Sequence, residues 1–169
     1  MRLLKTINPK NVNEASISDW QYRKAARAVV FDKNNRIGLL YVKKKNYYKL
    51  PGGGIEEGEN IETALSRECR EELGVEIKTI KEVGSIVEYR SKWKLHQISY
   101  CFIAKIDSKK KAPNFTEKEK LSGFEIVWIE SSVALKLLNL RKTSDYEGKF
   151  IEERDLCFLN IALLEYHKK

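Results

Sequence analysis

The chain has 169 residues, 42% hydrophobic and 33% charged, the balance of one soluble globular domain with enough apolar material to fold without disulfides. Lys and Arg number 32 against 24 Asp and Glu, and the resulting +8 charge favours anionic partners. The composition argues against a membrane protein and a disulfide scaffold, since no apolar run approaches the ~20 residues of a span and the three cysteines lack CxxC spacing.

Met1 to Lys10 is too polar for a signal peptide, and Cys69, Cys101 and Cys157 sit among apolar neighbours as small buried hydrophobes, which together point to a cytoplasmic protein. Residues 1–23 have weak periodicity and are expected to form an N-terminal extension, whether an arm, an extra strand or a partly ordered segment, before a domain over 24–169. Ala25–Phe31 and Ile37–Val42 are apolar runs around the turn formers 32–35, and predict a β-hairpin. Tyr47–Leu50 is a short strand stopped by Pro51-Gly52-Gly53-Gly54. A helix follows over Ile61–Leu73, capped by Asn60 and ended by Gly74. Long strands are predicted over Lys78–Tyr89 and Leu95–Ile106, then a polar loop from Asp107 to about Gly123, a strand over Phe124–Ile129, a helix over Val133–Leu140 and a last helix over Lys149–Tyr166. The lysine runs 43–45 and 109–111 read as solvated loop charge, because neither is interleaved with aromatics as a nucleic-acid platform would be.

The helix 61–73 carries two stripes. Ile61, Leu65, Cys69 and Leu73 recur every four residues and form the face that packs on a sheet. Glu68, Glu71 and Glu72 crowd one turn, where like charges repel. Such a turn is either a solvated acidic face offset by Arg67 and Arg70 or a site for a hard divalent cation. The glycine turn just upstream favours the second reading, because glycines let backbone N–H and C=O groups approach a ligand closely.

The segment from Gly53 through Glu59 and Arg67-Glu68-Cys69-Arg70-Glu71-Glu72-Leu73-Gly74-Val75 resembles the Nudix box at each fixed position. Cys69 stands where the family usually has a larger aliphatic residue. The order of elements from about residue 24 to 166 is similar to the family's α/β/α sandwich with a mixed β-sheet. The resemblance implies that Glu68, Glu71 and Glu72, joined by the Gly52 carbonyl, hold Mg²⁺, with Mn²⁺ as an alternative. It also implies that Arg67 pairs with Glu59 to brace the loop that begins at Gly53. A carboxylate must take the proton of the attacking water. It is either a box glutamate or a later loop residue, and Glu117 and Glu119 are the loop candidates. Arg27, Lys49 and Arg90 are candidates to meet phosphates, and Tyr47, Tyr48 and Trp93 to stack on a base.

The implied activity is hydrolysis of a diphosphate bond in a nucleoside triphosphate or another nucleoside diphosphate derivative. The implied partner is therefore a small nucleotide, with a homodimer possible in the family. No proline follows the box as in many ADP-ribose hydrolases, and Tyr89 lies slightly early for the tyrosine of dinucleoside-polyphosphate hydrolases. Two alternatives stand beside this reading. One is a nucleotide-binding sensor module, although the box here is undamaged. The other is an RNA 5′-end pyrophosphohydrolase, which the charge allows and the lack of an extended basic-aromatic surface argues against.

Overall fold

The structure is a computed structural model, and it describes residues 1–140 and 143–168. Seven strands form one mixed sheet: β1 (Leu3–Ile7), β2 (Gln21–Phe31), β3 (Ile37–Val42), β4 (Tyr47–Lys49), β5 (Ile77–Arg90), β6 (Leu95–Ile106) and β7 (Phe124–Ile129). Four helices accompany them: α1 (Ile61–Leu73), α2 (Glu117–Ser122), α3 (Ser131–Asn139) and α4 (Tyr146–His167). The strand order is β1-β5-β6-β2-β3-β4, with β7 also paired to β3. β1 with β5 and β2 with β6 are parallel, and the remaining pairs are antiparallel.

The period of two along β2 divides the core. Ala28 and Val30 face α1, packing with Leu65, Cys69 and Leu73. Val29 and Phe31 face the other way, onto Phe158 and Leu159 of α4 and Ala134 and Leu138 of α3. The result is an α/β/α sandwich with α1 on one face and α3 and α4 on the other.

The hairpin expected from β2 and β3 is open. The two strands pair only at Phe31 and Ile37 and then diverge. The backbone after β4 fills the gap, with Ala28 N–H donating to the Pro51 carbonyl at 3.1 Å and Ala26 N–H to the Gly53 carbonyl at 3.0 Å. Thus β2 holds the glycine turn as a pseudo-strand. Gly52 has φ +132, and a Cβ there would lie 2.1 Å from the Ala26 carbonyl oxygen, so no other residue fits without backbone movement.

Of the alternatives open for 1–23, the segment contributes an extra strand, β1, at the edge of the sheet with Ile7 buried. Two elements differ from the expectation. The loop 107–123 contains α2, nucleated by a full capping box in which Thr116 and Glu119 serve each other's backbone. Helix α4 starts three residues earlier than predicted, at an Asp145 cap that accepts from Gly148 N–H.

Candidate active site

Helix α1 is placed by its ends. The Asn60 side chain accepts from Thr63 N–H at 2.8 Å, and Gly74 closes the other end in the left-handed conformation. Packing the Leu65–Cys69–Leu73 stripe on the sheet turns Glu68 and Glu72 inward toward the glycine turn. Glu71, next along the turn, stays more open, its side chain 38% exposed against 10% for Glu68 and 2% for Glu72.

These residues line one cavity of about 530 Å³. One wall is the turn Gly52–Gly54 with Glu68, Glu71, Glu72 and Arg67. Arg23 and Arg27 of β2, the strand that holds the glycine turn, also line the cavity, with Lys45, Glu147 and Ile151, and α2 adds Lys118 and Glu119. Lys49 lies at the floor.

Each of Glu68, Glu71 and Glu72 is matched by a cation. Arg67 grips Glu59 with two parallel bonds of 2.8 and 2.9 Å, the bidentate arrangement that a guanidinium suits best. Its remaining nitrogen donates to Glu68 at 2.9 Å and Glu71 at 3.3 Å, and it also reaches the Gly54 carbonyl at 3.0 Å. The Arg67 hydrogen bond holds the Glu59 carboxyl down at about 2. Glu72 is different. Burial raises its pKa, the Lys49 ammonium opposes that, and Glu68 adds to it. Lys49 Nζ lies 2.6 Å from Glu72 Oε1, and the other Glu72 oxygen accepts the Gly52 N–H at 2.6 Å. Lys49 Nζ also donates to the Gly52 carbonyl at 3.3 Å.

Two arginines of β2 have spare donors. Among the described residues the buried Arg27 bonds only the Ala26 carbonyl, and its Nε has no partner. Burial lowers its pKa to about 10. Arg23 reaches only Gln97, at 3.5 Å. A buried guanidinium with unspent donors suits an anion that completes it.

Glu68, Glu71, Glu72 and the Gly52 carbonyl are hard oxygen donors, the type Mg²⁺ and Mn²⁺ prefer. Gly53 leaves room for them, since a Cβ there would lie 2.1 Å from Glu68 Oε1. The residues therefore fit such an ion, but not as a ready-made cage. Among the described residues no three His, Cys, Asp or Glu side chains converge as a ligand cluster. Lys49 engages Glu72, and one nitrogen of Arg67 engages both Glu68 and Glu71.

Two residues expected at the site stand elsewhere. Glu117 is the first residue of α2, its side chain 83% exposed and paired with Lys120, and it does not line the cavity; Glu119 does, although its carboxylate is engaged by Thr116. Arg90 lies at the end of β5, buried against Glu88 at 2.9 Å and Glu147 at 3.3 Å, and lies off the cavity wall. Among the aromatic candidates Tyr47 lines the cavity, whereas Tyr48 stacks on Tyr41 and Trp93 meets Tyr146 edge-to-face.

Sequence reasoning missed Arg23 and a buried ionic layer beneath the site. Asp155 of α4 accepts Leu50 N–H at 2.8 Å, fixing the chain just before the glycine turn, and its other oxygen takes Arg154 Nε at 2.7 Å. Arg154 in turn reaches Glu88 at 3.4 Å. The available signal was weak, because Arg154-Asp155 closes a run of four charged residues, 152–155, that reads as a solvated face.

A mixed sheet between helices, with a carboxylate-bearing helix turned onto a glycine loop, defines the class of fold and site. The NUDIX domain family matches residues 21–151, and the chain belongs to that family. It is similar to the RNA pyrophosphohydrolase of Haemophilus ducreyi, 41% identical over 64 residues covering 36% of this chain and 32% of that protein. It is also similar to the 8-oxo-dGTP diphosphatase of Buchnera aphidicola, 34% identical over 68 residues covering 38% and 52%. The matches thus span about a third to a half of the length of these curated relatives. The solved MutT protein of Methanosarcina mazei Go1 shares the fold, with a TM-score of 0.61 and 16% identity over 89% of this chain and 99% of that one. Among the described residues no helix is long and apolar enough to cross a membrane.

Proposed function

We propose that this chain hydrolyses a phosphoric anhydride bond in a nucleoside triphosphate or another nucleoside diphosphate derivative, with Mg²⁺ or Mn²⁺ as cofactor. The observation that carries the reading is one cavity lined by Glu68, Glu71, Glu72 and Gly52 together with Arg23 and with Arg27, whose buried Nε has no partner. Divalent ions held by those oxygens would neutralise the phosphates and make water more acidic. The chain's own residues supply the rest. Arg23, Arg27 and Lys118 accept the charge of the phosphate groups. Water attacks one phosphorus, the bridging P–O bond breaks, and the bridging oxygen leaves with its electron pair on the departing phosphate. A wall carboxylate takes the water's proton. Glu71, the most solvent-open of the three box carboxylates, is placed for contact with water.

A second reading is removal of pyrophosphate from an RNA 5′ end. It is favoured by several relatives that carry the name RNA pyrophosphohydrolase, 31% to 41% identical over their matched segments. A panel of nucleoside triphosphates, nucleoside diphosphate derivatives and a 5′-triphosphate RNA oligonucleotide, with phosphate products followed in Mg²⁺ and in EDTA, separates the two. Glu71→Gln and Glu72→Gln should each lower kcat/KM by roughly 100-fold or more. Full activity in either variant, or in EDTA, overturns the reading.

A further inference from the structure

Lys49 sits on two of the oxygens that the proposed cation would need. Its side chain is 9% exposed, and its ammonium bonds Glu72 Oε1 and the Gly52 carbonyl. Phe124 lies 5.2 Å away on its other side, so the head is enclosed between a carboxylate and a ring face. The same glutamate bonds Gly52 N–H. Lys49, Glu72 and Gly52 thus form a closed circuit that fixes the direction of the Gly52 carbonyl and the rotamer of Glu72.

We infer that Lys49 is a tethered placeholder for the divalent cation, holding Glu72 and the Gly52 carbonyl in register in the metal-free chain and leaving them when the ion binds. The inference rests on the metal-holding reading above. A buried carboxylate needs a cation beside it, and without metal Lys49 is that cation for Glu72. A dication drawing on the same two oxygens repels the ammonium beside them, so the two compete for Glu72 Oε1 and the Gly52 carbonyl. The lysine stem is flexible and its side chain lines the cavity, so a head released from Glu72 can turn toward phosphate oxygens. Arg67 behaves otherwise, because its fork is anchored on Glu59 through two nitrogens. Lys49 therefore competes with the metal and sets its affinity.

The test uses the full chain and Mn²⁺ alone, with free Mn²⁺ read by electron paramagnetic resonance. Lys49→Met should bind Mn²⁺ roughly threefold or more tighter than the native chain, while its metal-free Tm falls. Equal or weaker Mn²⁺ binding by the variant, with the native chain binding normally, overturns the placeholder and leaves the hydrolase reading standing. No Mn²⁺ binding by the native chain overturns both. Should Lys49→Met fail to fold, the native chain is treated with acetic anhydride with and without saturating Mg²⁺. Acetylation at Lys49, measured by mass spectrometry against the exposed Lys24, should rise several-fold with Mg²⁺. An unchanged ratio overturns the inference.

Discussion

At the scale of single residues, the two glycines of the turn do different work, and substitution should separate them. Gly52 has positive φ, and its missing Cβ would strike backbone at Ala26 and Arg27. Nothing flexible is there to yield. Gly52→Ala should therefore destabilise the fold by about 1–3 kcal/mol, read as a shift in the urea midpoint. At Gly53 the nearest atoms are the carboxylate end of Glu68, which can rotate away. Gly53→Ala should leave the urea midpoint almost unchanged while lowering Mn²⁺ affinity, since Glu68 must leave its place to make room. Equal effects of the two substitutions on stability would show that the turn is softer than its contacts imply. Both glycines were visible in the sequence as a break after Leu50. Their division of labour was not, because it depends on what β2 and α1 bring opposite each one.

At the scale of elements, legibility followed how local the cause was. Helix α1 was read to the residue, since Asn60, the four-residue apolar repeat and Gly74 all lie within the segment. β7 was also read to the residue, from a β-branched apolar run with turn formers on both sides. Helix α2 was missed although Thr116 and Glu119 carry its capping box, because six residues with no buried side chain show no apolar period. β2 begins at Gln21, ahead of the apolar run, because its exposed first residues are held by β6 rather than by burial. The least legible feature is the ionic layer of Glu88, Arg154 and Asp155, where charged residues that ordinarily mark a surface are completely buried. That layer ties α4 to the glycine turn through one acceptor, Asp155 Oδ2 on Leu50 N–H. Asp155→Asn presents an amide N–H₂ to a site surrounded by donors, so one buried donor faces another. A loss of about 2–4 kcal/mol in unfolding free energy is expected. A loss under about 0.5 kcal/mol would mean that water or another acceptor serves Leu50 equally well.

At the scale of the whole molecule, the first twenty residues and the family-matched region act together. β1 adds to the edge of β5 in parallel, from Leu3 against Ser85 to Ile7 against Glu88, and so covers the strand that supplies Glu88 to the ionic layer. Ile7 enters the core with Val83, Ile86 and the α4 side chains. Glu14 then accepts the Tyr89 hydroxyl at 2.7 Å, and Lys5 pairs with Glu153 of α4. A parallel edge strand is joined to its neighbour only through the rest of the fold, so its hydrogen bonds and its buried side chain are lost together if it leaves. The proposed ligand oxygens lie on α1 and the glycine turn, neither of which pairs with β1 in the sheet order, although α4, which packs on β1, also lines the cavity through Glu147 and Ile151. Removing residues 1–7 should therefore lower Tm by roughly 5–10 °C, from the loss of one buried isoleucine and its strand. Mn²⁺ affinity measured well below that Tm should stay within about twofold of the native chain, because the ligand oxygens keep their supports. A truncated chain with unchanged Tm would make β1 an ornament on the sheet. One that keeps its Tm deficit and also loses Mn²⁺ binding would show that the strand reaches the site through Glu88, Arg154 and Asp155, the continuous path of buried charge between them.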